Sequence, residues 1–377
     1  MSRVARQGQR KYKRRNPDDR AYVRFIKFIL RWIFNNKLKS LIILTFIVLL
    51  ILIGNFMSLY SGNRVTDKGY EHSKQFDEYA VINGIDVSEH QEDDINWKKV
   101  KSAGVDFVFV RVGYRSLTNG TLHADKNYRE NLLNAKSKGL MVGAYFFSQA
   151  TTSKEAKEEA EFMIKLVKGY DIDLPLVIDY ESYEGGRLDK VIQSGSMYAA
   201  SMFHDIVLSF CNTVEKSGYE SAVYANYDML VNNMDASILS EQATLWLAQY
   251  NTSAALESRY NYWQCSDSQK VSGIDNPVDH NFWYLKPEKV YPSYGQNRYN
   301  NRISIGDCDV SFNKEKYSIK NHRATPKLTI RYKGKLLKEG RHYNVSFVNN
   351  SYKGTGYAII TGINKYSDMV AMPFTIK

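Results

Sequence analysis

The stretch LPLVIDYE, residues 174–181, is apolar enough for a buried strand yet ends in two carboxylates flanking a tyrosine. A charge at the end of a core strand is costly without a partner or a task. On a strand, residues i and i+2 face the same way, so Asp179 and Glu181 project together and Tyr180 projects opposite. Outward from this stretch the pattern alternates. Upstream lie the strand AVINGIDVS (80–88), the helix DINWKKVKSAG (94–104) and the strand VDFVFVRVGY (105–114). The helix DKNYRENLLNAKSKG (125–139), the strand LMVGAYFFS (140–148) and the helix SKEAKEEAEFMIKLVKG (153–169) follow. Downstream, residues 196–217 read as a helix stopped by Gly218. Glycines closing helices are C-cap signals, and short apolar strands between helices indicate a parallel sheet. After SAVYAN (221–226) helices shorten or vanish while strand-like pieces continue: TLWLAQY (244–250), YNYWQCS (260–266) and VDHNFWY (278–284). An α/β barrel whose last strands lack full helices fits this order. A doubly wound open sheet is the alternative that the pattern leaves open.

Asp179 and Glu181 lie at the C-terminal end of their strand, where barrel enzymes place catalytic groups. The first strand also ends in an acid, Asp86, and the last strand-like piece carries Asp279. Any one of them alone is an ordinary cap or loop residue. Four converging on one rim repel, which raises the pKa of at least one and suits it to general-acid work near neutral pH. Carboxylate pairs ringed by aromatics suit glycoside cleavage, in which one acid protonates the leaving oxygen and a second group stabilises or attacks the oxocarbenium-like centre. Tyr145, Tyr224, Trp246, Tyr250, Trp263 and Trp283 are candidate platforms for sugar rings, although in a chain with 28 tyrosines any single one is ordinarily structural. Arg111, Gln249 and Gln264 offer hydrogen bonds to sugar hydroxyls or charged substituents, or else orient the acids.

The net charge of +11 sits in a tail: residues 1–39 hold thirteen Lys/Arg against two acids. The rest of the 377-residue chain carries 38 basic and 38 acidic residues, which argues against a nucleic-acid partner. The tail precedes LIILTFIVLLILIGNFMSLY (41–60), with no charge between Lys39 and Arg64. About twenty residues at roughly 1.5 Å each span a hydrocarbon core of about 30 Å. Positive charge before the span predicts a cytoplasmic tail over 1–40 and an extracytoplasmic remainder. A cleaved signal peptide would have an apolar core of about 7–15 residues and a small-residue cleavage site, and NFMSLYSGN offers none. AYVRFIKFILRWIF (21–34) is either an interfacial helix or a plain basic flank. Residues 61–79 read as a polar stalk and 285–302 as a linker. Residues 303–377 alternate with turn signals and predict a small β-sandwich. Three scattered cysteines, Cys211, Cys265 and Cys308, and seven histidines without ligand spacing predict no disulfide and no metal site.

Eight segments occur in order over about 200 residues: GIDVSEHQ, INWKKVKSAGVDFVFVRVGY, NAKSKGLMVGAYFFSQA, LPLVIDYE, VYAN, WLAQY, YWQCSDSQKVSGI and VDHN. Together they resemble the family 25 glycoside hydrolases, lysozymes that act as N-acetylmuramidases. The resemblance implies a flattened (β/α)5(β)3 TIM-like barrel over residues 80–284, without a cofactor. It implies hydrolysis of the β-1,4 bond between N-acetylmuramic acid and N-acetylglucosamine in peptidoglycan, which the basic tail and apolar span would place at the outer face of a bacterial membrane. The family's acids fall on Asp86, Asp179, Glu181 and Asp279. Glu181 matches the general acid, and Asp179 the partner that orients or stabilises the substrate, helping the sugar's own N-acetyl group act as nucleophile. A separation of about 5–7 Å, from the strand rise, covers both stereochemical classes and leaves the course open. Two departures stand out. HQEDDINW (90–97) has extra acids where the family usually has glycine, and Cys265 stands where an aromatic is common, thinning a subsite wall. Residues 303–377 more loosely resemble Ig-like modules of bacterial surface proteins, as a spacer or a wall-binding unit. A non-catalytic peptidoglycan-binding adhesin or scaffold is the rival reading, and an enzyme acting on chitin-like polymers a third.

Overall fold

The computed structural model describes residues 64–377, apart from 92–93, 196–198, 292–301 and 321–322, together with a few positions between 35 and 51. The expected tail, interfacial helix and membrane span thus lie outside the described residues, except for those few positions. Among the described residues no helix is long and apolar enough to cross a membrane. Residues 63–377 form one compact unit.

Eight strands close into a barrel. β1 (Ala80–Val87), β2 (Phe107–Arg115), β4 (Met141–Ser148), β5 (Leu176–Tyr180), β6 (Ser221–Asn226), β7 (Thr244–Ala248) and β8 (Tyr262–Gln269) pair in parallel in that order. β9 (Val278–Leu285) runs antiparallel to both β8 and β1 and closes the ring. A short β3 (Leu122–Ala124) folds back as a hairpin on β2. Helices α1 (Trp97–Ser102), α2 (Tyr128–Ser137), α3 (Ser153–Val167), α4 (Arg187–Gln193), α5 (Ala199–Lys216) and α6 (Ala236–Gln242) follow the first five barrel strands, and no helix separates β7, β8 and β9. The closed ring decides between the two sequence alternatives in favour of the barrel. Two of the expected helix-closing glycines, Gly104 (φ 102°) and Gly139 (φ 77°), occupy the left-handed region that such stops require.

The barrel interior is filled by aromatics laid across neighbouring strands. Gly84 pairs with Phe107 and Gly143 with Phe109. A Cβ at either glycine would lie 2.3 Å from the ring of its partner. Phe109 also stacks on Trp246, four strands away round the ring, with centroids 4.5 Å apart. Opposite walls therefore touch directly, which flattens the barrel. Gly84→Ala is expected to lower stability by about 1–3 kcal/mol through overpacking. Urea denaturation checks this, and an unchanged midpoint would mean the Phe107 ring can move.

Strands without helices need another cover on their outer face. The expected stalk supplies it, so for residues 64–79 that reading is corrected. Tyr70 meets Trp263 and Phe282 edge-on, His72 packs on Phe282, and Phe76 stacks on Tyr284 at 3.6 Å. His72 Nδ1 and the Tyr284 hydroxyl are 2.9 Å apart. A segment polar by composition thus presents three rings to the face left bare by β8 and β9.

The C-terminal region is all β. β10 (Val290–Tyr291), β19 (Met369–Ile376), β17 (Gly354–Gly362) and β16 (Tyr343–Val348) form one sheet, with β13 (Lys316–Tyr317) also on β19. β12 (Asp309–Phe312), β14 (Leu328–Tyr332) and β15 (Lys335–Leu336) form a second, and the short β11 (Ile303–Ser304) and β18 (Tyr366–Ser367) pair in parallel. Ile330 of the smaller sheet shares a core with Ile360 and Val370 of the larger. β10 lies within the expected linker, which therefore begins as a strand of this module. The other face of the larger sheet contributes Val348, Ile359 and Ala371 to the same apolar cluster as Ile82, Phe107 and Trp283 of the barrel interior. The module caps the barrel base, at the N-terminal ends of the parallel strands, and a loosely tethered spacer does not describe it.

Candidate active site

At the opposite end a cavity of about 730 Å³ opens. Asp86, Asp179, Glu181 and Asp279 all line it, together with Arg111, Tyr145, Tyr224, Trp246, Tyr250 and Gln264. β5 alternates as its sequence requires: Val177 and Asp179 face inward, while Ile178 and Tyr180 face the helices, where the Tyr180 hydroxyl donates to Ala150 O. Asp279 reaches the same rim because β9 is antiparallel, so its first residues lie beside the last of β1. Asp86 and Asp279 are direct cross-strand partners.

The four acids are not equivalent. Asp86 is buried and its Oδ2 accepts from Gln264 Nε2 (2.8 Å) and Asn281 Nδ2 (2.7 Å). Burial raises its pKa, and those amide donors oppose the rise. Asp279 is pushed up to about 9 by burial and by Asp86, to which it is hydrogen-bonded. Both members of the pair are thus pushed toward sharing a proton, and the two amide donors favour Asp86 as its acceptor. Asp179 is raised by burial and by the charges of Glu181 and Asp86, with Arg111 opposing, and one of its oxygens is buried without a hydrogen-bond partner. Glu181 is pushed up to about 7, first by burial and then by Asp86. Burial and neighbouring negative charge thus favour the protonated form of both carboxyls.

Supporting groups fix these side chains. Gln264 Oε1 accepts from the hydroxyls of Tyr224 (2.8 Å) and Tyr250 (3.0 Å), and Asn281 Oδ1 from Trp246 Nε1 (2.8 Å). Arg111 is held by Asp125 through Nε (2.9 Å) and lies 3.2 Å from Glu89. Buried Gln149 donates to Glu181 O (3.1 Å) and accepts from Leu188 N–H (3.3 Å), tying the backbone of Glu181 to α4.

A profile of Glycosyl hydrolases family 25 matches residues 85–274. The chain belongs to that family. It is a glycoside hydrolase. Lysozyme M1 of Streptomyces globisporus is 28% identical over 221 residues, covering 53% of this chain and 67% of that protein. The uncharacterised protein YegX of Escherichia coli K12 is 28% identical over 208 residues, covering 53% and 69%. Among solved structures, the modular autolysin LytC of Streptococcus pneumoniae aligns at 27% identity and a TM-score of 0.47, covering 54% of this chain and 47% of that one. The chain thus spans about half the length of LytC.

Four expectations about the family 25 site are corrected. Trp263 does not line the cavity: it is the outward neighbour of Gln264, fully buried under Tyr70, and its Nε1 donates to Gln249 O. Gln249 turns to its own loop, where Oε1 accepts from Ala255 N–H (2.7 Å). Trp283 faces inward but sits in the base cluster, stacked on Tyr262. Cys265 is also outward, 3.4 Å from His280 Nδ1, and thins no subsite wall. The altered first loop does reach the cavity, through Glu89, His90 and Gln91. Asn281, Gln149, Asp125 and the rim residue Tyr183 were not foreseen. Asn281 was legible, because it lies two residues beyond Asp279 on one strand.

Proposed function

We propose that this enzyme is a peptidoglycan muramidase with Glu181 as general acid, held at the outer face of a bacterial membrane by residues 41–60. One observation carries the catalytic assignment. Four acids from three strands meet in one cavity, and burial together with Asp86 holds Glu181 at about 7. A carboxyl of that pKa is protonated often enough at neutral pH to give its proton to the glycosidic oxygen, and becomes a base for the incoming water. Asp179, deeper and next to Glu181, is placed to orient the N-acetyl group or to stabilise positive charge at the anomeric carbon. Asp86, held by two amides, keeps negative charge beside both. The match to Lysozyme M1 and the family's lysozyme character support peptidoglycan as substrate.

Mass spectrometry of digested peptidoglycan tests this. Products with N-acetylmuramic acid at the reducing end are expected. Products ending in N-acetylglucosamine would overturn the bond assignment, and glycan binding without new reducing ends would favour the scaffold reading.

A further inference from the structure

The balance of charge outside the N-terminal tail is a cancellation. Residues 40–302 hold 25 Lys/Arg against 33 acids, a net of −8, while residues 303–377 hold thirteen against five, a net of +8. The division follows the architecture. Asp86, Glu89, Asp179, Glu181 and Asp279 gather at the mouth, and the basic module caps the opposite end. Twelve of the module's thirteen cations are exposed, Arg323 being half-buried.

Part of this positive charge gathers where the chain enters the folded unit. The Arg64 guanidinium lies 4.8 Å from the centre of the Tyr352 ring, and Val65 N–H donates to Ala103 O (2.9 Å) at the end of α1. Lys353 follows Tyr352. Asn350 O accepts from Ala324 N–H (2.8 Å), which brings Arg323 and its backbone partner Lys320 to the same corner. A Cβ on Gly139 would lie 4.0 Å from Arg323, at the start of β4 and so at the barrel base. Only residues 61–63 separate Arg64 from the apolar stretch 41–60.

We propose that this corner, Arg64, Lys320, Arg323 and Lys353, together with the basic module, is a seat for an anionic phospholipid surface. An anionic surface attracts the +8 module and repels the acidic mouth, so the same field that holds the enzyme down turns its cavity away from the lipid. The setting rests on the membrane-tethered reading, but the binding itself does not require catalysis. A soluble phosphate polymer offers similar chemistry. The lipid surface is favoured because these cations share a corner with Arg64, which only residues 61–63 separate from the apolar stretch.

The test is sedimentation of residues 63–377, one compact unit with its own cores, with vesicles of phosphatidylcholine with and without phosphatidylglycerol. Binding is expected only with phosphatidylglycerol, and it should fall as salt rises. Arg64→Glu, Lys320→Glu and Lys353→Glu combined should weaken partition by on the order of a hundredfold, from roughly fivefold per cation near the surface. Release of reducing ends from soluble glycan fragments should be unchanged in that variant. Lys353→Glu alone, on an exposed side chain, should give about a fivefold loss and keeps the test decisive if the triple variant does not fold. Equal binding to both vesicles, no binding at low salt, or binding to polyphosphate but not to vesicles would each overturn the proposal. Vesicle binding by a protein that releases no reducing ends would instead sink the muramidase reading alone.

Discussion

Glu181→Gln is expected to lower the release of reducing ends from peptidoglycan by at least about 10²-fold, the scale of general-acid catalysis. The amide keeps the shape and the hydrogen-bonding atoms but has no proton to give. The pH profile supplies an independent check. Burial and the Asp86 charge push Glu181 up to about 7, so activity should decline on the alkaline side near that pH as the proton is lost. Asp86→Asn removes a negative neighbour, favours the ionised form of Glu181, and should move that limb to lower pH. In Glu181→Gln, stability should move the other way from activity. The folded pKa of Glu181, about 7, lies above its ordinary 4.5. The unfolded chain therefore releases the proton first, and stability is lost as pH rises from 4.5 through 7. Glu181→Gln escapes that loss, so its melting temperature should exceed the wild type's at pH 8 and match it near pH 4. Undiminished activity in Glu181→Gln would remove Glu181 from the mechanism. A lower melting temperature at pH 8 would show that its burial is compensated by contacts the amide cannot make.

The parts of this molecule that were legible in the sequence are those governed by local period. Strands buried on both faces read as short apolar runs, and period two placed Asp179 and Glu181 together and Tyr180 behind them. The same rule, applied from Gln264, would have turned Trp263 outward, and applied from Asp279 would have brought in Asn281. A tryptophan beside a candidate glutamine invites a sugar-platform reading that the pleat forbids. The cover provided by Tyr70, His72 and Phe76 was a different matter. Nothing local marks three rings in a polar segment as the substitute for helices missing more than 190 residues later. The docked module lies between these cases. Ala358, Ile359 and Ile360 are buried in succession on β17, and such a run is inconsistent with a strand that has one solvent face. A two-layer sandwich could not have used both faces, so a third layer was implied, although its identity as the barrel base was not.

That third layer leads to the largest expected effect on stability. Lys101→Met should cost about 3–5 kcal/mol, the range for removing one partner of a buried ion pair. Lys101 Nζ, in the last turn of α1, lies 2.5 Å from Oδ1 of Asp106, just before β2 at the barrel base, with side chains 1% and 6% exposed. Asp106 Oδ2 accepts from Asn349 N–H (2.6 Å), and Asn349 Nδ2 donates to Val81 O (3.0 Å). The pair therefore sits at the joint between barrel and module, where burial lowers the pKa of Lys101 and Asp106 opposes that shift. Deleting the cation leaves the buried Asp106 carboxylate without its ion-pair partner, with only the Asn349 N–H and the Arg323 charge to offset its burial. The methionine fills much of the volume, so the loss is electrostatic rather than a cavity. Adding Asp106→Asn to Lys101→Met removes the stranded charge and should recover a large part of the stability. Urea denaturation followed by tryptophan fluorescence reads both variants, because three of the chain's five tryptophans lie in the barrel strands, a fourth, Trp97, opens α1, and none lies in the module. If the module merely hung from the barrel, Lys101→Met would free it and leave the fluorescence transition where it was. A shared core through Val348, Ile359 and Ala371 instead requires that transition to move to lower urea in the single variant and back in the double.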